Sequence, residues 1–323
     1  MSDAPRDLGE LVDGVLAPDR VYSYTQLAGR AGLDVDTLRQ AQAAFGLPRV
    51  EDDDVRWDDT DLEVARGLER ALASGIPLDR LLELNRVIGR AAVQVAAASR
   101  ELVAQLLAEV GGDEEAVLNA AERYVQDLSP LLTPTLDYAV RAHLREMVRS
   151  DVISAADISA GRTAGARDVA VAFADLVGFT KLGEQVPVEE VGEVVRRLEE
   201  LAASLVAPPV TFVKTLGDAV MLVAPSADPL LELALRLVEE AEARELRLRV
   251  GIGFGTALQR AGDWYGSPVN QASRVTTVAR PGSVLATQAV KDRAGEEWAW
   301  SFAGARKLRG VGEVPLHRVR RPS

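Results

Sequence analysis

The run V169-A-V-A-F-A174, broken off at Asp175, constrains the fold more than any other segment of this chain. Six small or apolar residues in succession, ended by an acid and soon by Gly178, read as a strand buried within a sheet. The full motif is F173-A-D-L-V-G-F-T180, and F212-V-K-T-L-G-D-A219 follows about one helix and one strand later. Each places one Asp beside a glycine at the end of a β-like run. Gly178 lets the backbone turn closely around a ligand, and Gly217 sets Asp218 at a hairpin tip. Two such carboxylates brought together would hold a divalent cation against phosphate, with the backbone carbonyl of Leu176 completing the site. A lone Asp at a strand end is usually a solvated turn residue. The setting shared by Asp175 and Asp218 favours the functional reading.

Around these motifs the second half alternates in period. Val188–Leu205 is an amphipathic helix, and Val210–Thr215 with Ala219–Ala224 forms a hairpin. Pro229–Arg244 reads as a helix, Arg247–Phe254 as a strand, Val269–Val278 as a helix and Ser283–Thr287 as a strand. The order β-α-β-β-α-β is that of the α+β ferredoxin-like arrangement, extended at its end. The first half reads as all-α. Thr25–Ala31, Asp36–Phe45 and Asp59–Ser74 are followed by a long helix from Leu78 to Val110. Asp113–Leu128 is expected to stop at Ser129-Pro130, and a connecting helix to run from Thr135 to about Ile153. Leu136, Val140, Leu144, Met147 and Val148 share one face of that helix. The stripe would pair with its copy in a second subunit or pack on its own domain, and the two readings weigh equally. Asp157–Arg167, with Gly161 and Gly165, reads as a flexible joint.

Composition narrows the function classes. The chain has 323 residues, 47% of them apolar, enough for two domains with cores of ordinary size. No cysteine is present, which excludes disulfides and thiolate metal sites and fits a cytoplasmic location. The N-terminus lacks an apolar signal core, and no apolar run is long enough to span a bilayer. Residues 1–150 carry 16 Arg, no Lys and 27 acidic residues, a net charge of −11, whereas the remainder is close to neutral at −1. An acidic first half argues against binding a phosphate backbone there, while the second half can still hold local cation clusters.

A third segment, D263-W-Y-G-S-P-V-N-Q-A-S-R274, follows the two Asp-bearing motifs in order. Together they resemble the class III adenylyl and guanylyl cyclases, over about Asp168 to Val319. The resemblance implies a head-to-tail homodimer with two active sites at the interface. It implies that Asp175 and Asp218 of one chain bind two Mg²⁺ or Mn²⁺ ions, while Lys214 and Asp263 of the other read the base. Adenine presents an acceptor at N1 and a donor at its 6-amino group, which lysine and aspartate match; guanine reverses that pattern. The substrate implied is therefore ATP. Asn270 and Arg274, four apart on one helix face, would orient the ribose and stabilise charge on the α-phosphate. A cation for the terminal phosphates is expected from R306-K-L-R-G-V-G-E-V-P-L316, with Arg309 in the position that best matches. The chain departs from the family pattern at Val311, where a basic residue is usual, and at Phe254, where many relatives have histidine.

Y24-T-Q-L-A-G-R-A-G-L-D-V-D-T-L-R39, then G46-L-P48 and G75-I-P-L78, resembles the winged helix-turn-helix of MerR-type regulators. Its wing position, E51-D-D-D-V-R-W-D-D-T-D61, holds seven acids and one Arg, which points to a protein or subunit partner and away from DNA. A helical half before a class III domain also resembles actinobacterial cyclases with N-terminal regulatory domains, some of them pH-responsive. The expected plan is a helical regulatory domain over 1–134 with the winged segment at 21–85, a linker helix and joint over 135–160, and the catalytic domain over 161–323. The regulatory input is an unidentified ligand or pH; His143 on the linker helix is a titratable group that could sense pH, although an ordinary surface histidine is the commoner reading. The alternatives are a guanylyl cyclase and a DNA-binding regulator with a nucleotide-sensing domain. A diguanylate cyclase is set aside because no G-G-[DE]-E-F sequence occurs.

Overall fold

The first three helices of the N-terminal unit each start on a polar side chain that takes up free amides. The computed structural model describes residues 20–110, 114–150, 166–179 and 187–322, in two units, Met1–Met147 and Val148–Ser323. Ser23 ends β1 (Tyr22–Ser23) and caps α1 (Tyr24–Ala31), in a reciprocal box with Gln26. Asp34 caps α2 (Val35–Ala44), its Oδ1 accepting from Thr37 N at 2.7 Å. β2 (Val55–Trp57) pairs antiparallel with β1 and leads into α3 (Asp59–Ala73), whose capping box is Asp58 with Asp61. The acids of the wing segment therefore have local work. Asp58 and Asp61 face a helix N-terminus, where negative charge is favoured. Asp52 pairs with Arg39 at 2.8 Å, and Asp59 accepts from the Tyr22 hydroxyl at 2.7 Å. Beneath them Leu27, Leu38, Leu62 and Ala65 pack around Tyr24, which meets Trp57 edge-on at 4.9 Å.

The long helices α4 (Leu78–Val110) and α5 (Glu114–Ser150) follow. The expected stop at Ser129-Pro130 does not occur: α5 continues through Pro130 and Pro134. A proline removes one amide and crowds the carbonyl four residues back, which bends a helix without necessarily ending it. Here the surrounding turns are largely exposed, so the freed carbonyls can meet water. Leu136, Val140 and Leu144 remain exposed along α5. The side chains of Met147 and Val148, the expected joint through residue 165 and Thr180 lie outside the described residues.

In the second unit a sheet of strand order β4-β5-β3-β6-β8-β10-β9 is built from β3 (Ala166–Leu176), β4 (Thr211–Leu216), β5 (Ala219–Ala224), β6 (Leu248–Arg260), β8 (Ser283–Thr287), β9 (Ala299–Leu308) and β10 (Gly312–Arg320). Its pairings are antiparallel except β6 with β8. β3 is central and buried as its apolar run requires. Ala170, Ala172 and Ala174 face α6 (Val188–Leu205) and α7 (Ala227–Ala243), packing with Leu198, Leu201, Leu230 and Leu237. Val169, Val171 and Phe173 face the other side, where α8 (Ser267–Val278) lies. Two elements extend the expected plan: β6 continues to Arg260, and Asp263–Gly266 returns along it as β7. The β9–β10 hairpin then closes the far edge, with α9 (Gln288–Lys291) before it. Among the described residues no helix is long and apolar enough to cross a membrane.

The close seat of α8 follows from G251-I-G253. A Cβ at Gly251 would fall 2.2 Å from Thr276 N, and one at Gly253 2.6 Å from Pro268 O. Only hydrogen at both positions lets the α8 backbone lie on β6. Thr276 fixes the seat by donating to Phe173 O at 3.2 Å and to Ala272 O at 2.8 Å.

Candidate active site

The two acids of the opening motifs come together because their strands are neighbours. Asp175 stands opposite Ala219 in the β3–β5 register, and Leu176 N donates to Asp218 O at 3.0 Å. Arg249, opposite Asp175 on β6, clamps that carboxylate through Nε at 2.6 Å and Nη2 at 2.5 Å, while its Nη1 donates to Thr277 O at 3.3 Å. The Asp175 side chain is only 15% exposed. Loss of solvation raises its pKa above the ordinary carboxylate value, Arg249 pulls it back down, and the Asp218 charge adds to the rise. A largely buried carboxylate with a second one beside it suits a hard divalent cation. Among the described residues no group of three or more acidic or histidine side chains is placed to hold a metal ion. Such an ion would thus take the two carboxylates, the Leu176 carbonyl and oxygens from the substrate. Arg249 was missed in the sequence because its partner lies 74 residues away. The available signal was a basic residue at the head of an apolar strand.

Lys214 and Asp263, 49 residues apart, form an ion pair between Nζ and Oδ2. A bulge between Phe212 and Lys214 carries an extra residue, Val213, and sets Lys214 opposite Met221. Val213 and Met221 both belong to the cluster on the α8 face, so the bulge turns Lys214 toward that face. Asp263 opens β7, its Oδ1 accepting from Trp264 N at 2.8 Å. With about a third of each side chain exposed (35% and 28%), the pair presents a donor and an acceptor side by side to solvent.

Among the described residues no hydrogen bond or ion pair joins the side chains of the other expected residues to these pairs. Asn270 and Arg274 are exposed on α8, whose buried face is Pro268, Ala272, Val275 and Thr276. Arg309 is exposed in the turn between β9 and β10, closed by Val311 N to Leu308 O at 3.1 Å. Val311 packs on an apolar cluster with Leu308 and Leu316, which accounts for the absence of a basic residue there. Phe254 packs against the main core with Arg293 4.9 Å above its ring.

Residues 11–148 match the family described as adenylate cyclase regulatory domain, and residues 163–320 that described as adenylate and guanylate cyclase catalytic domain. A pH-sensitive adenylate cyclase of Mycobacterium tuberculosis is 42% identical over 318 residues, covering 95% of this chain and 80% of that protein. Adenylate cyclases of Streptomyces griseus and Streptomyces coelicolor are 34% and 33% identical, each over 84% of this chain and 68% and 71% of their own lengths. With both halves matched in order and such relatives aligned along nearly its whole length, the chain belongs to the class III cyclases, in the form that carries an adenylate cyclase regulatory domain ahead of the catalytic one.

Proposed function

We propose that this adenylate cyclase converts ATP to 3′,5′-cyclic AMP and pyrophosphate at sites shared between two copies of the chain. The observation that carries the adenine reading is the Lys214–Asp263 pair, a donor beside an acceptor in the pattern that adenine complements. In the reaction the ribose 3′-oxygen bonds to the α-phosphorus in line, the bond from that phosphorus to the oxygen bridging to the β-phosphate breaks, and the hydroxyl proton leaves to solvent. Bound Mg²⁺ or Mn²⁺, two per site, would lower the pKa of that hydroxyl and neutralise phosphate charge. Asp175 and Asp218 would hold the ions, with Arg249 offsetting part of the burial of the Asp175 carboxylate and aiming it. Asn270 would orient the ribose, Arg274 would meet charge developing on the α-phosphate, and Arg309 would meet the terminal phosphates. Positioning and electrostatics supply most of the catalysis in such transfers.

Support for a shared site comes from the exposure of Asn270 and Arg274 on α8, turned away from their own core. A second copy placing its carboxylate pair against that face would complete the constellation. The exposed stripe Leu136, Val140 and Leu144 of α5 would join the two copies ahead of the catalytic units. Rotation along that helix would then carry the regulatory input, a ligand or pH, to the interface. The test is complementation. Asp175→Ala and Arg274→Ala chains should each be inactive toward ATP with Mn²⁺, and mixing them should restore roughly a quarter of parental activity, because half of a random mixture carries one intact site of two. No recovery despite exchange of subunits overturns the shared site. Preferential conversion of GTP by the parent overturns the adenine reading.

A further inference from the structure

A cavity of about 330 Å³ opens on the α8 side of the sheet, beneath the end of α8 and along β8, β10 and β9. Four arginines line it: Arg280, Arg306, Arg318 and Arg320. None of the four has an acidic partner among the described residues, although the chain carries 49 acids against 37 bases. Elsewhere exposed arginines find acids readily, as Arg196 does with Glu193 and Glu200 and Arg321 with Glu232 and Glu239. Unpaired guanidinium groups gathered around one hollow, in a half of the chain that holds about as many acids as bases, require another explanation than solubility.

The position is built by the fold. Ser283 Oγ donates to Arg280 O at 2.6 Å and Gly282 N to Leu248 O at 2.8 Å, which fixes the turn that carries Arg280. Arg318 stands opposite Leu285 on one side and Ser301 on the other, with Leu285 and Leu316 buried in the floor. Arg318 is only partly exposed. Lost solvation and the charges of Arg320 and Arg280 all lower its proton affinity, the result expected of cations crowded without a counter-charge.

We propose that this cavity binds a small, multiply charged, phosphate-bearing anion at a site separate from that for ATP. Arginine forks pair with phosphate oxygens two at a time, and four of them around a hollow of this size suit a compact polyanion. The separation follows from topology. β10 lies three strands from β3, roughly 14 Å at ~4.8 Å per strand, so Arg318 is remote from Asp175. Arg309 lies at the opposite end of β10 from Arg320.

The test is titration calorimetry of the full chain with inorganic pyrophosphate in EDTA, which removes metal-dependent binding at the carboxylate pair. Saturable binding that weakens as salt rises is expected, since added ions screen exposed charges. In Arg280→Gln/Arg318→Gln the affinity should fall by about tenfold or more, the effect of losing a charged hydrogen bond, while the KM for ATP with Mn²⁺ stays within about twofold. If the double variant loses its circular dichroism, the exposed Arg320→Gln carries the same comparison. Absence of binding to the parent, or unchanged affinity in the folded variant, overturns the proposal. So does a parent that ignores pyrophosphate while the variant turns from dimer to monomer, for that would make the cavity a contact between copies.

Discussion

At Asp175 burial and charge pull in opposite directions: lost solvation favours the proton, and the Arg249 clamp favours the anion. Lys214 and Asp263 form an ion pair nearer to solvent. A hydrogen bond to a charged group contributes about 1.5–3 kcal/mol. Lys214→Ala should therefore lower kcat/KM for ATP by roughly ten- to a hundredfold, and that for GTP by much less. An equal fall with both nucleotides would remove the base-reading role. His317 offers a second residue-scale prediction. It is buried, with Nε2 2.6 Å from Gln288 Oε1 and no partner at Nδ1. Burial, and then Lys291, lower its pKa below 6.5. Above that pH both the folded and the unfolded chain hold it neutral. Below it the unfolded chain takes up the proton first, so stability falls as pH drops toward the folded value. Urea unfolding between pH 7.5 and 5 should show a shallower acid loss in His317→Gln, by at most about 1.4 kcal/mol per pH unit. Identical slopes in the two proteins would assign the acid loss elsewhere.

Helix α8 carries the residues that would touch ribose and phosphate, and its height above the sheet is set by two glycines of β6. Adding a methyl at Gly253 would place it against Pro268 O, so helix or strand must move. Gly253→Ala should cost about 1–3 kcal/mol as overpacking does, and should lower kcat beyond the stability loss because Asn270 and Arg274 move with the helix. A thermal melt and a cyclase assay well below the transition separate the two effects; a fully active, destabilised variant would show that the height of α8 is not critical. The β4 bulge is a comparable device, since one extra residue turns Lys214 toward the α8 face.

On the scale of the molecule, the proposed division of labour between copies would rest on what a single chain leaves exposed. Val140 is 51% exposed on α5, so Val140→Asp should change the stability of one chain little, within about 0.5 kcal/mol as for most surface substitutions. It should nevertheless weaken self-association, visible in sedimentation velocity, with activity falling on dilution. Sedimentation indistinguishable from the parent would show that the α5 stripe is not part of the contact.

Much of the architecture was legible in local pattern. The apolar run ending at Asp175, the glycine-flanked Asp218 and the alternating periods fixed the order of helices and strands, because side-chain direction repeats every two residues in a strand and every 3.6 in a helix. The helix break at Ser129-Pro130 was misread, since proline chemistry gives a local strain and not its outcome in a solvated helix. β9 and β10 could not be placed, because an edge hairpin depends on which strand it joins. The candidate site divides along the same line. Asp175 and Asp218 were nominated by their setting, and Lys214, Asp263, Asn270 and Arg274 by the resemblance to class III cyclases that the ordered motifs carry. Only pairing across the sheet set Arg249 beside Asp175, closed Lys214 on Asp263, and gathered arginines from the end of α8, β9 and β10 around one cavity. Periodicity is a property of neighbours along the chain, whereas these charges meet through strand register and close helix approach, which exist only once the sheet is assembled.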